Sequence, residues 1–247
     1  MIERTEKDGI SILRLAHGKA SALDLELLEE LRRHFQSETA GALVLTGTGS
    51  IFSAGVDLFR LTREGRAYVE EFVPALVSML EALFTKSTPV VSAVNGHAIA
   101  GGFILNAAAD YRIMAAGNGR IGVPELLVGV PFPALALEIV RFSTPNQHVQ
   151  ELVYTGKTVL PDEALAKGIV DEVVEASALL DRAVAVAQQL AAIPRQAFSI
   201  VKRQLRQPYV ERAHSLARAD RDALEVWADP ATHEHIRAYL EKTVGRK

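Results

Sequence analysis

The stretch Pro89-Val90-Val91-Ser92-Ala93-Val94 is apolar and rich in β-branched residues, stops at Asn95-Gly96, and runs on to Gly101-Gly102 and the helix-compatible Phe103 to Ala108. A run this apolar fits a strand buried on both faces, and the glycines and helix-compatible residues after it set the order strand, turn, helix. The order recurs. Ile10 to Leu15 reads as a half-buried strand, and Asp24 then caps a helix whose leucines at 27, 28 and 31 share one face. Ala42 to Thr46 reads as a buried strand stopped by Gly47, Gly49 and Ser50, and the apolar residues at 69, 72, 73, 76, 80 and 83 place a helix over Ala67 to Leu83, with Pro74 a kink site. Tyr111 to Met114 and Ile169 to Val174 are further expected strands; Ala178 to Ala192 and most of Arg195 to Lys242 are expected helices. No linker, low-complexity tract or sequence repeat interrupts this, so the expected fold class is α/β, a single core over 1–194 with a helical C-terminal region over 195–247.

The bulk properties narrow the function. Basic and acidic residues nearly balance, 27 against 30, so no nucleic-acid or membrane-surface partner is expected from net electrostatics. The absence of cysteine excludes disulfides, thiolate metal sites and a cysteine nucleophile. No apolar run has the length of a membrane span, the charged start lacks a secretory pattern, and Gly245-Arg246-Lys247 is not a peroxisomal address, which makes a cytoplasmic protein the expectation.

Several candidate signals fail on context. Gly117-Asn118-Gly119-Arg120-Ile121-Gly122 has dinucleotide-loop spacing, yet Val123-Pro124 comes next where a helix must open. Gly156-Lys157-Thr158 resembles the end of a phosphate loop, but Glu151 occupies the earlier glycine position. His233-Glu234-His235 sets its imidazoles on different faces of a helix, which suits a solvated surface better than zinc, and no metal site is expected. No serine sits in a nucleophile elbow, and His97 is better read as structural than as a base.

Two small-residue turns remain. Phe52-Ser53-Ala54-Gly55-Val56-Asp57-Leu58 follows a buried strand, and Gly101-Gly102 begins a helix; both can turn backbone N–H groups toward a ligand. Either cluster alone reads more readily as turn geometry.

Together, the strand–AGxD turn and the strand–NGxxxxGG helix start resemble the enoyl-CoA hydratase/isomerase (crotonase) superfamily. The resemblance runs nearly end to end, taking in Lys19-Ala20-Ser21-Ala22-Leu23-Asp24, Pro89 to Gly96, Gly122-Val123-Pro124-Glu125 with Gly129, Thr155-Gly156-Lys157 and Ala164 to Val173. It implies a spiral of ββα turns, a homotrimer or dimer of trimers in which the C-terminal helices serve trimerisation or as a lid, and an acyl-CoA thioester substrate, with no cofactor because coenzyme A is part of that substrate. By position it implies Val56 and Gly101 as the N–H donors of an oxyanion hole, Glu125 as the acid/base, and Ala20, Ala22, Ala54, Gly55, Asp57 and Leu58 as coenzyme A or substrate contacts.

The resemblance also exposes a departure. Hydratases of the superfamily place a second carboxylate where this chain has Ile104. Isomerases that move a Δ3 double bond to Δ2 can use one carboxylate, and the apolar Gly129-Val130-Pro131-Phe132-Pro133-Ala134-Leu135 and Ile193-Pro194 are closer to those enzymes. The expectation is therefore a Δ3,Δ2-enoyl-CoA isomerase with Glu125 alone as acid/base. The alternatives are an enoyl-CoA hydratase or other lyase, with Asn106 or His97 supplying the second polar group, and a non-catalytic acyl-CoA binder. Apolar neighbours are expected to desolvate Glu125 and strengthen it as a base.

Overall fold

A computed structural model describes residues 1–243; Gly245 to Lys247, the segment weighed as an address, lies outside the described residues. The chain opens with an antiparallel pair, β1 (Ile2–Lys7) and β2 (Ile10–Leu15), followed by α1 (Leu25–Ser37). Three strand–strand–helix turns come next. They are β3 (Leu43–Thr46), β4 (Ile51–Ser53), α2 (Leu58–Glu64) and α3 (Arg66–Phe84); β5 (Val90–Val94), β6 (His97–Ile99) and α4 (Gly101–Ala107); and β7 (Tyr111–Ala115), β8 (Ile121–Gly122) and α5 (Glu125–Val128). After these come α6 (Ala134–Ser143), α7 (Asn146–Thr155), β9 (Thr158–Val159), α8 (Pro161–Ala166), β10 (Glu172–Val174) and α9 (Leu179–Ala191). Three helices complete the described chain: α10 (Arg195–Ser215), α11 (Ala217–Ala228) and α12 (Pro230–Thr243).

The strands of each turn separate into two sheets. The first member enters a six-stranded sheet in the order β1-β2-β3-β5-β7-β10, and the second enters a four-stranded sheet in the order β4-β6-β8-β9. Parallel register carries β3 to β5 to β7 in one sheet and β4 to β6 to β8 in the other, which makes the chain a spiral of ββα turns. β5, between β3 and β7, is buried at every residue because both faces of its sheet are covered. Val91, Ala93 and Ile113 meet Leu179, Ala183 and Ala187 of α9 on one side. Val90 and Val94 join α1, α3 and α4 in the main core on the other. β1 stands at the sheet edge and stays soluble through its charged, exposed Glu3, Arg4, Glu6 and Lys7.

Most expected elements lie within a residue or two of the observed ones. Asp24 accepts from the Leu27 N–H as an N-cap, and α3 runs past Pro74. Ile169 to Val174 is the exception. Only Glu172–Val174 is strand, because the Ile169 and Val170 N–H groups return to the Ala164 carbonyl and close off α8. Gly117 to Gly119 is a turn, and Ile121–Gly122 beyond it enters the second sheet as β8.

Candidate active site

The two small-residue turns meet. The loop before α1 pairs with the turn after β4: the Ala54 N–H donates to the Ala20 carbonyl (3.0 Å), the Leu23 N–H to the Gly55 carbonyl (2.7 Å) and the Asp57 N–H to the Leu23 carbonyl (2.9 Å). Ser53 Oγ ties the same loops through the Ser21 carbonyl at 2.8 Å. In this parallel bridge Gly55 and Asp57 face Leu23, so the N–H of the intervening Val56 points the other way and has no hydrogen-bond partner among the described residues.

Gly55 stands behind the resulting wall at φ +83, and a Cβ placed there would lie 2.8 Å from the Ile99 carbonyl oxygen and 3.0 Å from the Gly101 nitrogen. Only glycine permits this approach of the second turn. Ala100, at φ 52 and ψ −122, reverses the chain between β6 and α4 while its N–H donates to the Gly122 carbonyl at 2.9 Å. That reversal leaves the Gly101 N–H, at the start of α4, without a partner among the described residues.

Both free N–H groups border one cavity of about 360 Å³. Ala20, Ala22, Ala54, Asp57 and Leu58 line it, whereas Gly55 does not. Asp57 is already engaged: its carboxylate accepts from the Arg60 N–H at 2.9 Å and caps α2. The far wall is apolar, formed by Leu76, Leu80, Ile104, Val128, Val130, Ala136 and Trp227. Of the apolar chain neighbours expected to desolvate Glu125, Leu126 and Leu127 are instead exposed at 43% and 48%. The helical turn of α5 swings them outward while Glu125 and Val128 turn inward.

Among the described residues, Glu125 is the one carboxyl group in the cavity wall that serves no cap. It is buried, and its Oε2 has no hydrogen-bond partner among the described residues. Burial pushes its pKa up to about 8, since an ionised carboxylate loses its hydration in such surroundings. Ile104 lies in the same wall, 2% exposed, and adds no polar group.

Several residues fall elsewhere. His97 belongs to β6, its Nδ1 accepting from the Arg120 N–H at 3.2 Å, and does not reach the cavity. Asn106 is fully buried on α4 but away from the cavity. His233 is not a solvated surface residue: it is buried against the Trp227 carbonyl at 2.8 Å. His235 stands exposed, with Nε2 3.1 Å from the Leu127 carbonyl oxygen. Among the described residues no group of three or more His, Asp or Glu is placed to hold a metal.

Trp227, Tyr239, Leu240 and Thr243 close the cavity from α11 and α12. The resemblance implies a lid or trimerisation role for this region but names none of these residues, because amphipathic spacing identifies a buried face without saying what it is buried against.

A family model for enoyl-CoA hydratase/isomerase matches residues 5–245. The chain belongs to that family. Its members act on acyl-CoA substrates, and this member is an enzyme of that class. Carnitinyl-CoA dehydratases of Shigella flexneri and Escherichia coli (strain K12) are each 36% identical to it over 192 residues, 75% of this chain and 72% of theirs. Among solved structures, the human mitochondrial Δ3-Δ2-enoyl-CoA isomerase superposes with a TM-score of 0.93 at 25% identity, covering 100% of this chain and 99% of that one. The enoyl-CoA hydratase EchA3 of Mycobacterium ulcerans Agy99 superposes with a TM-score of 0.82 at 28% identity, over 92% and 98%. The family member described here has the crotonase fold with C-terminal helices. No described helix is long and apolar enough to cross a membrane.

Proposed function

We propose that the protein is a Δ3,Δ2-enoyl-CoA isomerase in which Glu125 is the single acid/base. The supporting observation is one carboxyl group whose buried Oε2 has no partner, in a largely apolar wall, sharing a cavity with two main-chain N–H groups unpaired among the described residues.

In this reading the thioester carbonyl accepts from Val56 and Gly101, and the ionised Glu125 takes a proton from C2. The C–H electron pair moves into the thioester as a dienolate, whose negative oxygen the two donors stabilise. Glu125 then returns the proton at C4, and the double bond comes to rest between C2 and C3. No atom is gained or lost, so the reaction calls for no cofactor beyond the coenzyme A carried by the substrate. Ala20, Ala22, Ala54, Asp57 and Leu58 provide the coenzyme A side of the cavity, with Gly55 setting the backbone behind them. Ile104 keeps a second water-orienting carboxylate out, and a dry pocket favours internal proton return. Residues 195–247 act as lid and assembly region of a homotrimer or dimer of trimers.

The 36% identity to carnitinyl-CoA dehydratases supports a second reading, water elimination or addition by a hydratase-type enzyme. The two separate cleanly: a 3-enoyl-CoA and a 2-enoyl-CoA are each incubated with the enzyme. The isomerase reading expects a conjugated 2-enoyl product from the first and little 3-hydroxyacyl product from the second. Hydration at ordinary enzymatic rates would replace it with the second reading.

A further inference from the structure

The cavity holds a side chain whose chemistry the reaction above does not use. Tyr239 reaches it from α12, opposite the spiral core. Of the other donor-bearing side chains in the wall, Trp227 Nε1 is spent on the Pro131 carbonyl at 2.8 Å and Thr243 Oγ1 on the Tyr239 carbonyl at 2.8 Å. The Tyr239 hydroxyl has no hydrogen-bond partner among the described residues, and neither does the buried Oε2 of Glu125.

The packing of α12 on α5 brings these two groups into register. His235 lies with Nε2 3.1 Å from the Leu127 carbonyl oxygen, and a Cβ on Gly129, which ends α5, would stand 2.8 Å from the His235 ring. A carbonyl only accepts, so the imidazole donates. From this latch, Tyr239 lies one helical turn forward on α12 and Glu125 one turn back on α5, and both border the cavity.

We propose that Tyr239 is a positioning residue whose hydroxyl donates a hydrogen bond to the Glu125 carboxylate whenever that group is ionised, and that His235 holds the pair in register. An ionised buried carboxylate needs a donor, and among the described residues lining this cavity the phenol is the uncommitted side-chain donor. The hydroxyl remains a neutral donor at working pH, since burial first, and the Glu125 charge second, hold its pKa above the usual tyrosine range. Of the charged groups near α5, Asp57 caps α2, Glu151 on the neighbouring α7 pairs with Lys167 at 2.7 Å and lies 3.9 Å from His148, and Glu234, Arg237, Glu241 and Lys242 of α12 are exposed to solvent. The role of Glu125 rests on the proposed function, but its proton affinity is measurable without turnover.

The full-length protein is labelled with ¹³C at glutamate side-chain carboxyls, and the Glu125 resonance is identified by its loss in E125Q. Comparison of wild type with Y239F is expected to show the Glu125 midpoint rising by about one pH unit when the donor is removed, with H235N raising it by less. The acid limb of kcat/KM is expected to move with it. Conversely, the Tyr239 hydroxyl, followed by its ring carbon, is expected to titrate at lower pH in E125Q than in wild type, a comparison that needs no change at Tyr239. Midpoints that stay where they are in Y239F and E125Q would overturn the pairing. Absence of isomerisation alongside shifted midpoints would refute the proposed reaction and uphold the pairing.

Discussion

Gly55 and Gly101 are packed so closely that a Cβ on the first would stand 3.0 Å from the backbone nitrogen of the second. The two candidate oxyanion donors are thus held by one contact between their loops. Gly55→Ala is expected to push the Ile99–Gly101 backbone aside and to lower kcat by about 100-fold or more, the scale of losing one donor. Val56→Ala keeps its N–H and is expected to change kcat by less than about threefold. Steady-state kinetics on the two variants check this; equal effects would mean that the side chain of Val56, not its backbone, does the work.

Ala100 carries part of the strain that aims the Gly101 N–H. Its φ of 52 is in the region that a side chain disfavours, at a cost of about 1–3 kcal/mol. Ala100→Gly is expected to stabilise the fold by roughly 1 kcal/mol, raising Tm by about 2–4 °C, which calorimetry would detect. A lower Tm would place the strain elsewhere.

The pH profile comes from Glu125. Because the base form is needed and burial holds the pKa at about 8, kcat/KM is expected to fall tenfold per pH unit below that value and to level off above it. The same group shapes stability. Below pH 4.5, its ordinary value, it is protonated in folded and unfolded chains alike; between there and about 8 the unfolded chain loses the proton while the folded chain keeps it. Wild-type stability therefore falls across that window relative to E125Q, by a few kcal/mol in all, and changes no further above it. Denaturant titrations of both proteins at pH 5 and 8 test the slope and its sign.

Ile104 occupies the cavity wall where a carboxylate would hold water. Ile104→Glu is expected to slow isomerisation and to let 3-hydroxyacyl-CoA accumulate from a 2-enoyl-CoA. Unchanged product ratios would show that this position does not govern water.

Much of this was legible in the sequence because the signals were local. β5 shows itself by being apolar at nearly every position, and Asp24 by its place before a leucine stripe. The β4, β6, β8 and β9 strands were not seen as such, being two or three residues long and held only by neighbours in the spiral. Nor does anything in the spacing of α12 reveal that Tyr239 would border the same cavity as Glu125, since the two are joined only by tertiary packing. Asn106 shows the opposite failure: a polar residue two positions past Ile104 suggested a site, but the turn of α4 carries it away from the cavity.

The most direct test of a single acid/base is the rate at which Glu125→Gln converts a 3-enoyl-CoA to its conjugated 2-enoyl isomer. With the fold intact by circular dichroism, the rate is expected to drop by at least about 1,000-fold, because among the described residues no other free carboxylate borders the cavity of the two donors. A variant that isomerises within tenfold of wild type would contradict the single-base mechanism.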